Sequence, residues 1–176
     1  MLTILNIIKD DLNSLSRNSF KNKILNLFFN RSFALTLNYR LGNHFQKKRN
    51  FLNNLFILIL KKKQLKNFGC DISYTAEIGK NISFPHPIGI VIGNNVKIKD
   101  NVKIWQNVTI GSKGKLQKEY PVINSNVKIF TSAQVIGNIY IGDNTIIGAS
   151  SLVITDLPSN SIAYGVPAKF KINENS

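Results

Sequence analysis

The chain has 176 residues, one cysteine, two histidines and a net charge of +14 at pH 7. That length suits one domain with an appendage, a lone cysteine excludes an internal disulfide, and two histidines exclude a three-histidine zinc centre. The charge is lopsided: residues 1–66 carry 13 Lys/Arg against two acids and residues 67–176 carry ten against seven, an imbalance that by itself makes no nucleic-acid interface.

Residues 2–16 place Leu2, Ile4, Leu5, Ile7, Ile8, Leu12 and Leu15 around acids at 10 and 11, which predicts a short amphipathic helix. The apolar start runs at once into Lys9-Asp10-Asp11, so no secretory leader is expected and the expected compartment is the cytoplasm. Asn18 or Ser19 could cap a second helix through Phe29, and Asn30 or Ser32 a third that carries Tyr39-Arg40-Leu41-Gly42 and His44. A fourth is predicted over roughly 50–66. Its apolar stretch 51–60 lies between Lys47-Lys48-Arg49 and Lys61-Lys62-Lys63. Ten residues cannot span a bilayer, which needs about 20. Two readings stay open. The helix packs on the rest of the protein or a neighbouring subunit, or it lies in the inner membrane interface with its lysines at anionic headgroups.

Beyond this helical region, 1–66, the pattern changes. From Ile92 the chain reads in sixes. The first position holds Ile92, Ile98, Ile104 and Ile110, then, after an interruption, Ile123, Ile129, Val135, Ile141, Ile147 and Val153. In a chain that is 43% hydrophobic, such a run arises by chance in about one of several thousand trials. The fifth position is β-branched or small in Val96, Val102, Val108, Val127, Ala133, Ile139, Thr145 and Ser151. The fourth is rich in asparagine, at 95, 101, 107, 126, 138 and 144, a residue that tolerates positive φ. Six is not a multiple of the helical period. Short strands separated by corners accommodate it, three sides to a coil, with first-position side chains stacked inside. The predicted fold is mainly β: a parallel β-helix over 67–170 with an α-helical segment before it and a tail at 171–176.

Two places break the sixes. At Phe84-Pro85-His86-Pro87-Ile88-Gly89 the repeat slips by two residues. His86 is one of two side chains that could accept a proton near neutral pH. Asp71 lies 15 residues earlier and one coil is about 18, so Asp71 could stand beside His86 from the neighbouring coil and fix its tautomer. The second break, residues 112–122, is an excursion from the coil, and such loops carry function more often than coil faces do. Lys113 or Lys115 could meet a phosphate there. Downstream, Ile147-Gly148-Ala149-Ser150 is small enough for an extended ligand to lie against backbone. Trp105 is either core packing or a platform for a sugar ring.

The Ile-led hexapeptides, Gly89-Ile90-Val91-Ile92-Gly93, Gln106-Asn107-Val108-Thr109-Ile110-Gly111 and the terminal Gly165-Val166-Pro167-Ala168-Lys169 resemble the left-handed β-helix acyltransferases over about residues 68–170. Within that superfamily the chain resembles the serine acetyltransferases and their relatives that O-acetylate surface polysaccharides. The resemblance implies a left-handed coil, acetyl-CoA as acyl donor, no metal, and a homotrimer whose active sites are shared between subunits. It implies His86 as general base with Asp71 orienting it. It places Gly111, Ser112, Lys113, Thr131 and Ala149 along the CoA groove, and Lys169 at the nucleotide phosphates. Trp105, Tyr120 and Arg40 fall to the acceptor. Two departures bear on that acceptor. The family's usual aspartate before the catalytic histidine is Pro85 here, and a second histidine is replaced by Tyr120. On that ground the expected acceptor is a sugar hydroxyl of a capsule, lipopolysaccharide or precursor, with serine the alternative.

Overall fold

The first and fifth positions of the sixes both point inward, and this generates the core of the coil. In the computed structural model, which describes residues 4–16, 25, 29–48, 50–114 and 119–173, every first-position aliphatic from Ile92 to Val153 is buried, as are the fifth-position residues from Val96 to Ser151. The residue before each first position points out, giving two-residue strands of exposed-then-buried pattern.

Among the described residues, fourteen strands form three sheets. Sheet A stacks β1 (Asp71–Ile72), β3 (Val91–Ile92), β6 (Thr109–Gly111), β9 (Gln134–Ile136) and β12 (Leu152–Val153). Sheet B stacks β2 (Glu77–Ile78), β4 (Lys97–Ile98), β7 (Val122–Ile123) and β10 (Tyr140–Ile141). Sheet C stacks β5 (Lys103–Ile104), β8 (Lys128–Ile129), β11 (Ile146–Ile147), β13 (Ser161–Gly165) and β14 (Ala168–Ile172). All pairings are parallel except the final β13–β14 hairpin. The chain visits A, B and C in turn, so each coil is a triangular layer of a parallel β-helix.

Register measures the two breaks. Val91 pairs with Thr109, and Gln134 with Leu152, at the regular 18-residue offset. Asp71 pairs with Val91, an offset of 20 that contains the His86 slip. Thr109 pairs with Gln134, an offset of 25 that contains the excursion.

The corner between sheets B and C carries a ladder of asparagines. Asn81, Asn101, Asn126, Asn144 and Asn160 all have positive φ. Each side-chain amide donates to the next carbonyl at 2.9–3.1 Å. Asn138 departs from the predicted pattern: the left-handed residue at its corner is Gly137, φ 113.

Among the described residues, three helices precede the coil: α1 (Ile4–Ser16), α2 (Arg31–Lys47) and α3 (Phe51–Phe68). Asn30 caps α2 by accepting from Phe33 N–H at 3.0 Å, and Asn50 caps α3 by accepting from Asn53 N–H at 2.7 Å. Gly69, φ 58, ends α3. The helix predicted to end at Phe29 lies largely outside the described residues. Side chains of α2 and α3 consume the free edge of the first coil. Gln64 accepts from Ile72 N–H at 2.8 Å, and Lys61 donates to Ile72 carbonyl at 3.1 Å. Tyr39 hydroxyl donates to Ala76 carbonyl at 2.7 Å and accepts from Ile78 N–H at 3.2 Å. Arg40 donates to the carbonyls of Ile78 and Gly79.

Candidate active site

The corner between sheets C and A aligns one residue group from each coil. In order these are His86-Pro87-Ile88, Trp105-Gln106-Asn107, Phe130-Thr131-Ser132 and Gly148-Ala149-Ser150. Backbone bonds tie them together: Asn107 N–H to Ile88 carbonyl at 2.9 Å, Ser132 N–H to Gln106 carbonyl at 3.0 Å, and Ser150 N–H to Thr131 carbonyl at 2.8 Å. Tyr164 of β13 lies against Gly148, and Tyr164 pairs with Lys169 of β14. His86, Thr131, Ala149 and the Lys169 hairpin thus share one edge, four coil rises or about 19 Å long.

The His86 loop is rigidly rooted. Phe84 is fully buried, and its N–H donates to Ser32 Oγ at 2.9 Å. Pro87 is buried and His86 exposed. Ile88 N–H closes a tight turn onto His86 carbonyl at 2.9 Å. Glycine suits position 89: its φ is +67, and a Cβ would lie 2.2 Å from Asn107 Oδ1 unless that side chain moved. Nothing in the sequence marks Ser32 for this role. Its hydroxyl acts on a backbone group 52 residues away, and the sequence marked it only as a possible helix cap.

Asp71 opens β1, the strand beneath β3, which His86 leads into. Its exposed carboxylate pairs with Lys61 Nζ, and among the described residues no hydrogen bond links it to His86. His86 lies on the corner that leads into β3, and Asp71 stands opposite Val91 of that strand.

The excursion leaves from a different corner. Gly111 ends β6 in sheet A, and the chain returns at Val122 in sheet B. Gly111, Ser112, Lys113 and Tyr120 therefore lie at the A–B corner, across sheet A from His86. The Lys113 stem runs along Gly137, where a Cβ would meet its Cε at 2.9 Å. Tyr120 packs against the core, and Lys115 lies outside the described residues. In the open space over Gly111 an added Cβ would touch nothing within 4 Å.

Two of the acceptor candidates have partners within the chain. Arg40 is buried, its guanidinium paired with Asp11 at 2.8 Å and with two backbone carbonyls. It closes the first coil. Trp105 is half-buried and stacks on Phe130, with centroids 4.5 Å apart and planes at 24°, so its ring packs successive coils together. Gln106, next to it on the His86 edge, keeps a buried Oε1 with no partner, an acceptor able to take a ligand N–H. Among the described residues no three His, Cys, Asp or Glu side chains cluster to hold a metal ion.

No family model matches the chain. Individual proteins do. A serine acetyltransferase of Helicobacter pylori strain J99 is 36% identical over 134 residues, 74% of this chain and 75% of that protein. Among solved structures, Neisseria gonorrhoeae serine acetyltransferase superposes with a TM-score of 0.86 at 27% identity, covering 98% of this chain and 68% of that one. A serine acetyltransferase in complex with CoA gives 0.83 at 28% identity, covering 96% and 69%. These likenesses overturn the expected polysaccharide acceptor. Pro85 and Tyr120 depart from the usual pattern inside a chain whose relatives are serine acetyltransferases throughout its helices and coil.

Proposed function

This chain belongs to the serine acetyltransferase family, with that family's left-handed parallel β-helix, and we propose that it transfers the acetyl group of acetyl-CoA to the hydroxyl of serine. The enzyme is an acetyl-CoA-dependent acyltransferase; serine as acceptor is the proposal. The observation that carries it is the 36% identity spanning three quarters of the H. pylori serine acetyltransferase.

In this reading the exposed His86 imidazole takes the hydroxyl proton as the oxygen attacks the thioester carbonyl. The carbon–sulfur bond then breaks, and the imidazolium returns the proton to the departing CoA thiolate. The pantetheine arm lies along the edge formed by Thr131, Gly148 and Ala149, and Lys169 meets the nucleotide phosphates as a point charge. Asp71, whose carboxylate also meets Lys61, orients the His86 imidazole.

His86 and the excursion sit on opposite edges of sheet A. We therefore propose a homotrimer in which Gly111, Ser112, Lys113 and Tyr120 of one subunit face the His86 edge of the next. The compartment that fits such an enzyme is the cytoplasm, where acetyl-CoA is available.

A thiol-release assay with acetyl-CoA and free serine tests the reading. Serine-dependent release well above hydrolysis is expected, and release that serine does not raise would overturn it. His86→Ala should lower the rate by about 10²–10⁴-fold; full activity in that variant would remove His86 from the mechanism.

A further inference from the structure

Helix α3 is apolar on two sides but covered on one. Ile57, Leu60, Gln64 and Phe68 face α2 and the first coil. The other side leaves Phe51 85%, Leu52 63%, Leu55 52%, Leu58 67% and Ile59 53% exposed. These positions follow i, i+1, i+4, i+7, i+8, one continuous flank of a helix. Among the described residues nothing covers it. A helix apolar all round calls for a second apolar surface.

Charge decides what that surface is. From residue 12 to residue 70 the chain has twelve Lys/Arg and no Asp or Glu. Lys47 and Lys48 precede the flank, and Lys62, Lys63 and Lys66 follow it. None of the five has an ion pair among the described residues; the only acid reaching α3 is Asp71, on Lys61. A second copy of the helix would bring more positive charge and no acid to offset it. An anionic lipid surface supplies both the apolar layer and the counter-charge. Eighteen residues make a rod about 27 Å long, and no described helix is long and apolar enough to cross a membrane, so the helix would lie flat.

We propose that the exposed flank of α3 seats the enzyme on the surface of an anionic bilayer. The proposal is independent of the acyl acceptor.

Flotation of the full chain with vesicles tests it. Vesicles of phosphatidylcholine with about one-third phosphatidylglycerol should carry the protein upward at low salt. Binding should fall at least about tenfold with phosphatidylcholine alone, or in ~0.5 M salt. The double variant Leu55→Glu/Leu58→Glu changes only exposed positions. It should lose flotation while keeping the wild-type melting temperature and thiol-release rate. Failure of the wild type to float, equal flotation with neutral lipid, or undiminished flotation of the variant would each overturn the proposal. So would a lower particle mass for the variant by light scattering, which would show that a second copy covers the flank.

Discussion

Asp11 is 1% exposed, its carboxylate shared between Arg40 and the backbone N–H of Asn81. Burial pushes its carboxyl above the ordinary 3.8, and Arg40 only partly offsets this. A raised carboxyl pKa means that the folded state holds the proton more tightly than the unfolded chain does. The contribution of this ionisation to stability is therefore full below 3.8 and is lost as pH rises through the folded value. Urea midpoints of wild type relative to Asp11→Asn should fall as pH climbs through that window; a difference that grew would contradict it. Asp11→Ala is a harsher change. It leaves the Arg40 guanidinium buried with two carbonyls and no counter-ion, at a cost of about 3–5 kcal/mol in the same measurement. Nothing in the sequence advertised this pair, because a short acidic helix and a Tyr-Arg-Leu-Gly run 29 residues later carry no local sign that they meet.

At the scale of elements, the six-residue period made the strands, the buried positions and the asparagine corners legible before any coordinates, because each follows from which way a side chain points. The slip makes its coil 20 residues rather than 18, and the spacing gave no sign that Lys61 would meet the Asp71 carboxylate. Nor could the period say that the excursion and His86 leave from different corners, since that depends on which side of the triangle each break falls. The tightest point of the slip is Gly89. Gly89→Ala would force a Cβ against Asn107 at a positive φ. The His86 turn should shift, lowering serine-dependent thiol release by at least about tenfold and stability by about 1–2 kcal/mol. A variant with wild-type kinetics would show that the turn has room to adapt.

For the whole molecule, the coil is one-dimensional, each layer touching only its neighbours. A single chain places half of the proposed site at each edge of sheet A. Light scattering should give a mass of about three chains at assay concentrations; a fully active monomer would rule out a site shared between subunits. The helical region also does a job at the end of the prism. A stack of parallel strands has a growing face, and here Gln64, Lys61, Tyr39 and Arg40 occupy the hydrogen-bonding groups of that face, while β14 runs antiparallel to close one edge at the far end. A chain deprived of residues 4–68 would offer β1 and β2 as templates to the last coil of another, and chains could add end to end into filaments. On this view the helices set the length of the particle as much as its stability.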